Sequence, residues 1–366
     1  MANIFFGKGK KQQIVVDASR LGLKVLQLLV EEDSIKIEKV FYAPWSFYLS
    51  ETEDDFLANL DTVLKSLTSS FPGKQHSVIF CFSDPSNLTR WYQTSVIEDE
   101  EELEEYLLGK KVMRSQEEYH SDFIVAGESI SDIKKAQDVL IHSVHGYLSQ
   151  NVMDAFEERG FELETLDFPV NAQTSFYEYF CEEGRTPHDA MISIGWETSS
   201  LSIFCNNEIR FTHYLNFRLC EFSELLMHKM QIDEGTAQHI VRTDLFEVLL
   251  NNGTSQYPIP EDCLTEIKEE LAYLVNEIER VFAFYVARVL EWKIERVERI
   301  IYAGMETYID PLHTYLSSYF KVPSSTISPI TSLGFSSEAQ MKMDEHGCYE
   351  HFNTALGIFL RHLGEE

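Results

Sequence analysis

The chain has 366 residues, 44% hydrophobic, 13% aromatic and 25% charged; this excludes a disordered or low-complexity protein and suits two domains of ordinary size. Its 60 acidic residues against 30 basic ones leave a formal charge of −30, which disfavours nucleic acid and anionic lipid as partners and suits a partner with a basic tail. No stretch reaches the ~18 apolar residues of a membrane span, and residues 1–11, a short apolar run followed by lysines, lack the h-region and cleavage site of a signal peptide.

The six cysteines (Cys81, Cys181, Cys205, Cys220, Cys263 and Cys348) include no CxxC pair, and several sit in apolar runs. They read as reduced thiols of a cytosolic protein. Residues 12–17 predict a strand ending in Asp17. Gly22 marks a turn, residues 23–30 predict a second strand, and residues 34–43 alternate as a third. An amphipathic helix follows over about 52–70, with Phe56, Leu60, Val63, Leu64 and Leu67 on one face. Residues 76–82 predict another strand.

Residues 84–166 have a different texture. They contain a very acidic run at 97–108, strand signals at 122–126 and 137–142, and a helix between 149 and 160. They read as a small α+β insert. The carboxylates at 98–105 lack the glycine and alternating ligands of a calcium loop, so they read as a solvated helix face. The first pattern then returns. Residues 188–195 and 201–205 predict strands, Asn206-Asn207 a two-residue turn, and residues 208–217 a third strand. Asp17 and Ser193 occupy matching places, so two similar lobes are expected.

Leu264, Ile267, Leu271, Leu274, Ile278, Val281 and Tyr285 give a long helix to about Trp292 with one buried stripe. Residues 299–303 predict a strand ended by Gly304, and 310–319 a helix. Residues 322–330, with Pro323 and Pro329, read as loop, and a last helix holds Phe352, Ala355, Leu356, Phe359 and Leu360. His346, Cys348 and His351 fit no common zinc spacing.

Tight turns at strand ends offer backbone N–H groups to phosphates, and strand-end carboxylates hold Mg²⁺ through water. Ile14-Val15-Val16-Asp17-Ala18-Ser19-Arg20-Leu21-Gly22-Leu23-Lys24 resembles the first phosphate hairpin of actin-like ATPases. Met191-Ile192-Ser193-Ile194-Gly195-Trp196-Glu197-Thr198 resembles the second. Ile301-Tyr302-Ala303-Gly304-Met305 resembles their adenosine turn. Glu277-Ile278-Glu279-Arg280 with Phe284-Tyr285, Val297-Glu298-Arg299-Ile300, Thr354-Ala355-Leu356-Gly357 and residues 161–167 narrow the resemblance to PilM-like type IV pilus assembly proteins. These are relatives of FtsA and of the cytoplasmic part of GspL.

The resemblance implies an α/β, actin-like (ribonuclease H-like) fold of two lobes with an inserted subdomain. Lobe I is expected over 12–83, 167–186 and 348–366, the insert over 84–166, the lobe II core over 187–231 and 297–335, and a helical subdomain over 232–296. It implies ATP and Mg²⁺ at Asp17, Ser19, Lys24, Gly195, Thr198, Arg280 and Gly304, with Asp17 toward the metal. Ser19 in place of a glycine, Ser193 in place of a carboxylate, the bulky Trp196, and Ala303 and Met305 beside a single glycine imply weak or lost nucleotide binding. The implied partner is the N-terminal tail of a PilN-like membrane protein, gripped by a cytoplasmic scaffold held at the inner membrane through that partner. Oligomerisation is left open. An active actin-fold ATPase or small-molecule kinase is the rival reading.

Overall fold

The computed structural model describes residues 11–19, 22–31, 34–43, 53–71, 77–82, 88–113, 119–130, 135–181, 185–196, 198–251, 253–289, 297–304, 310–346 and 349–364. Residues 1–10, the turn at Arg20 and Leu21, the helix end at Trp292, Met305 and Cys348 lie outside them. The chain divides into two compact units, Met1–Gly184 with Ser328–Glu366, and Arg185–Ile327.

The first unit opens with an antiparallel meander of β1 (Lys11–Ser19), β2 (Gly22–Glu31) and β3 (Ser34–Ala43). Helix α1 (Glu53–Ser70) carries the chain back, so that β4 (Ser77–Phe82) pairs in parallel with β1. A parallel neighbour requires such a crossover, because a tight turn only reverses a strand. Leu60, Leu64 and Leu67 form the buried stripe of α1; the side chains of Phe56 and Val63 lie outside what is described.

The chain then leaves this sheet. Strand β5 (Leu88–Ser95), helix α2 (Glu100–Gly109), and strands β6 (Tyr119–Ile130) and β7 (Lys135–His145) make a separate antiparallel sheet of order β5-β7-β6. Helix α2 covers one face through Leu103 and Leu107. Strand β5 escapes the sequence pattern because its run from Leu88 to Ser95 barely alternates.

Helix α3 (Gly146–Glu158) and β8 (Glu162–Asp167) correct the expected insert boundary at 166. Strand β8 pairs in parallel with β4 in the first sheet. That pairing needs a crossover, and α3 supplies it, with Phe156 edge-on to Phe80 at 5.1 Å. Helix α4 (Asn171–Phe180) ends this part of the chain.

The second unit repeats the plan. Strands β9 (His188–Ile194), β10 (Ser199–Cys205) and β11 (Glu208–Leu215) form a meander. Asn206 and Asn207 take φ of 52° and 75° in its second turn, the geometry expected of a two-residue hairpin loop. Four helices follow: α5 (Leu219–Met230), α6 (Glu234–Thr243), α7 (Leu245–Asn251) and α8 (Glu261–Phe284). Helix α8 buries Ile267, Leu271, Leu274, Ile278 and Val281, as the 3–4 spacing predicts. A π turn, Tyr285–Val289, continues it.

Strand β12 (Arg299–Gly304) is parallel to β9, and after α9 (Asp310–Phe320) the short β13 (Ser324–Thr326) is parallel to β12. The stretch expected as loop therefore contains an edge strand, hidden in the sequence by its three-residue length and its flanking prolines. Strand β14 (Gly334–Phe335), α10 (Ser337–His346) and α11 (Asn353–Gly364) return to the first unit, where β14 pairs with β3. Residues 328–335, expected in the second lobe, belong with the first for that reason.

The two main sheets run β14-β3-β2-β1-β4-β8 and β11-β10-β9-β12-β13. Apart from β14, their strand orders match. In the first unit α4 and α11 cover one face and α1 and α3 the other. A Cβ on Gly357 of α11 would stand 2.5 Å from Ala172 of α4, so the missing side chain lets these helices meet.

His142 of the inserted sheet stacks on Phe168 just after β8, with ring centres 5.2 Å apart, and its Nδ1 lies 2.9 Å from Thr89 Oγ1. Burial holds its pKa down to about 4; Asp167 pulls it up and Arg361 pushes it further down. The folded pKa thus lies below the ~6.5 of an unfolded chain. The neutral ring stabilises fully above that value, and the contribution is lost as pH falls toward 4. We expect chemical denaturation to show a loss of about 3 kcal/mol across this window, with His142→Gln flattening it. An unchanged slope in the variant would assign the acid sensitivity elsewhere.

Candidate functional site

In the first unit, pairing register brings polar side chains into one row across the carboxyl ends of the parallel strands. Lys24 of β2 faces Asp17 of β1, Asp17 faces Cys81 of β4, and Cys81 faces Asp167 of β8. Register partners share a sheet face, and this face is the one under α4 and α11. Lys24 Nζ donates to Asp17 Oδ2 at 2.9 Å, with both side chains buried. Asp17 Oδ1 is buried and has no hydrogen-bond partner among the described residues. Ser19 ends β1 opposite Gly22.

Asp167 closes the row. Phe168 N and Asn171 Nδ2 donate to it at 2.6 Å, Arg361 Nη1 at 3.0 Å, and His362 Nε2 lies 3.1 Å away. Burial alone would raise its pKa, but His362, the Arg361 charge, Asn171 and the Phe168 amide bring it below the ordinary carboxylate value. Cys81, buried between two carboxylates, is pushed the other way by burial first, then by Asp17 and Asp167. Its thiol stays protonated and unreactive at neutral pH.

The corresponding row of the second unit is uncharged. Ser200 of β10 faces Ser193 of β9, and Ser193 faces Ala303 of β12. Gly304 faces Ile194, so it ends beside the turn that holds Gly195 and Thr198. That turn admits only glycine at its start, because a Cβ on Gly195 would lie 1.9 Å from Thr198 O. Three of its backbone atoms are engaged within the unit. Gly195 N donates to Ser199 Oγ at 3.0 Å, and the carbonyls of Gly195 and Trp196 accept from Leu219 N and Cys220 N, the first amides of α5. Those carbonyls satisfy donors that a helix start otherwise leaves open. The Trp196 ring is buried, with the Arg242 guanidinium 5.3 Å from its centre.

Of the predicted residues, Asp17 and Lys24 therefore meet directly, with Ser19 at the end of the same hairpin. Gly195, Thr198 and Gly304 share one sheet end in the other unit. Arg280 lies on the exposed side of α8, its guanidinium 5.9 Å from the Tyr273 ring. Sequence reasoning missed Cys81, Asp167, Arg361 and His362 as members of the row. The strand-end position of Asp167 is a visible signal. The last two come from a helix almost two hundred positions away, and nothing local marks them. Among the described residues, no group of three or more His, Cys, Asp or Glu could hold a metal ion.

Residues 15–363 match the family model described as type IV pilus assembly protein PilM. No curated protein matches the chain. Among solved structures, a PilM-PilN type IV pilus biogenesis complex is similar at TM-score 0.73 and 16% identity, covering 97% of this chain and 99% of that one. The ethanolamine utilization protein EutJ from Carboxydothermus hydrogenoformans gives 0.48 at 10% identity, with 97% and 92% covered. An actin-like ATPase-fold protein from Bacteroides thetaiotaomicron gives 0.45 at 12% identity, with 93% and 98% covered. The actin-like α/β fold implied by the sequence is the fold this chain shares with the PilM structure over nearly its whole length.

The buried Lys24–Asp17 pair has a measurable consequence. Lys24→Met leaves a buried carboxylate without its cation and should lower unfolding stability by about 3–5 kcal/mol in urea. Adding Asp17→Asn should restore at least half of that loss. A neutral single variant would mean that the pair is not closed in solution.

Proposed function

The chain belongs to the type IV pilus assembly protein PilM family, and from that premise we propose that it is a cytoplasmic scaffold of a type IV pilus or type II secretion-like inner-membrane complex. It grips the N-terminal tail of a PilN-like membrane protein and has weak or no nucleotide binding. The family, and a similar structure that is itself a PilM-PilN complex, support this partner. The charge of −30 suits a tail with basic residues, which cytoplasmic segments flanking membrane helices commonly carry. No helix among the described residues is long and apolar enough to cross a membrane, so attachment through a membrane partner accounts for residence at the inner membrane.

The observation that carries the nucleotide part is the asymmetry of the two rows. One carboxylate, Asp17, is already paired with Lys24, and Ser193 stands where the second turn would need another. Mg²⁺ relies on one or two carboxylates besides phosphate oxygens. The rival reading, an ATPase or kinase, draws on Asp17 Oδ1, a buried oxygen without a protein partner among the described residues. In that reading Asp17 would face the metal, while Lys24, Ser19, Gly195, Thr198, Arg280 and Gly304 would meet the nucleotide.

Two measurements separate these readings. The N-terminal peptide of a PilN-like protein should be retained by the immobilised chain at micromolar concentration, and no retention would count against the scaffold. ATP with Mg²⁺ should leave thermal unfolding unchanged. A ligand at a hundredfold its Kd would add about 2.7 kcal/mol, and such a shift, lost in Asp17→Ala, would favour the enzyme.

A further inference from the structure

The inserted sheet has an open edge. In the order β5-β7-β6, strand β6 pairs with β7 on one side and, among the described residues, with no strand on the other. It is 12 residues long, twice the usual ~6. Open edges are commonly blunted by lysine or proline, and β6 has neither. Its one irregularity is a bulge between Val125 and Gly127. Val125 is 49% exposed. It faces the same side as Phe123, which packs against the core that Leu103 and Leu107 of α2 form with Met113, Val139 and Ile141.

The helix that covers one face of this sheet is anionic. Seven of the eight residues from 98 to 105 are carboxylates, and no basic residue follows before Lys110. Asp99 caps α2 by accepting from Glu102 N at 2.9 Å, and the helix dipole favours acids in the first turn. Neither explains Glu104 or Glu105, beyond that turn. The orientation of α2 follows from its contacts. Leu103 and Leu107 face the sheet, and Tyr106 is hydrogen-bonded to Tyr92 of β5. At 3.6 residues per turn, the flank opposite Tyr106, turned away from β5, carries Glu100 and Glu104.

We propose that the edge of β6 receives an extended cationic segment of a partner protein as a fourth strand. Main-chain hydrogen bonds would supply affinity, and alternate side chains would supply specificity. Lysine or arginine at every second position faces Glu100 and Glu104, on the side of the sheet where Val125 offers apolar contact. This surface lies wholly on the insert and does not depend on the PilN-like tail.

The probe is a fluorescent peptide of alternating lysine and valine, compared with a block peptide of the same composition, titrated against the full chain by anisotropy at moderate salt. The alternating peptide should bind at least about tenfold more tightly. Glu100→Lys with Glu104→Lys should remove that advantage, while Glu261→Lys with Glu269→Lys on α8 should keep it. Hydrogen exchange should slow within residues 119–130 on binding. Equal affinity for both peptides, or protection elsewhere, overturns the proposal. So does a self-associated protein that Val125→Lys disperses, because the edge would then serve a second copy of the chain.

Discussion

A sheet with two apolar faces is stable only when both are covered, and here one face of the first sheet is covered by helices that arrive through crossovers between parallel strands. In the first unit α1 and α3 are those crossovers, and they set β1, β4 and β8 side by side with their carboxyl ends together. In the second unit α5 to α8 and then α9 do the same for β9, β12 and β13. Open α/β sheets place ligand sites at such ends. The row from Lys24 through Asp17 and Cys81 to Asp167 is a consequence of that topology before it is a matter of side-chain chemistry.

Chemistry then separates the two halves of a repeated plan. The first unit buries charge in its row and compensates it internally, with Lys24 on Asp17 and with Arg361 and His362 on Asp167. The second unit has serines and an alanine there, and places its buried ion pair at the opposite end of β9, where Arg299 Nε reaches Asp189 Oδ1 at 3.2 Å. A buried carboxylate already held by an ammonium has less to offer a divalent cation, and a turn whose carbonyls cap α5 is fixed by the fold that surrounds it.

The insert concentrates the features that neither row explains. It carries the densest run of carboxylates and a long unpaired strand edge, and it meets the first sheet through the neutral, buried His142 against Phe168. These follow from its small size. A three-stranded sheet with one helix has little interior, so most of its strand edge and much of its helix surface face solvent.

Local signals determined much of this protein. Two-residue alternation marked β3 and β10, Asn206-Asn207 marked a hairpin, and the 3–4 spacing from Ile267 to Val281 marked the buried stripe of α8. The matching places of Asp17 and Ser193 announced a repeated unit, because hairpin geometry is encoded within a few neighbouring residues. Tertiary structure alone decided that β8 joins the first sheet, that β14 and α10 return to it, and that Arg361 and His362 close on Asp167. It also decided that the Trp196 ring is buried. Parallel pairing and cross-chain ion pairs join residues far apart in the chain, and no local pattern records which distant partner completes them.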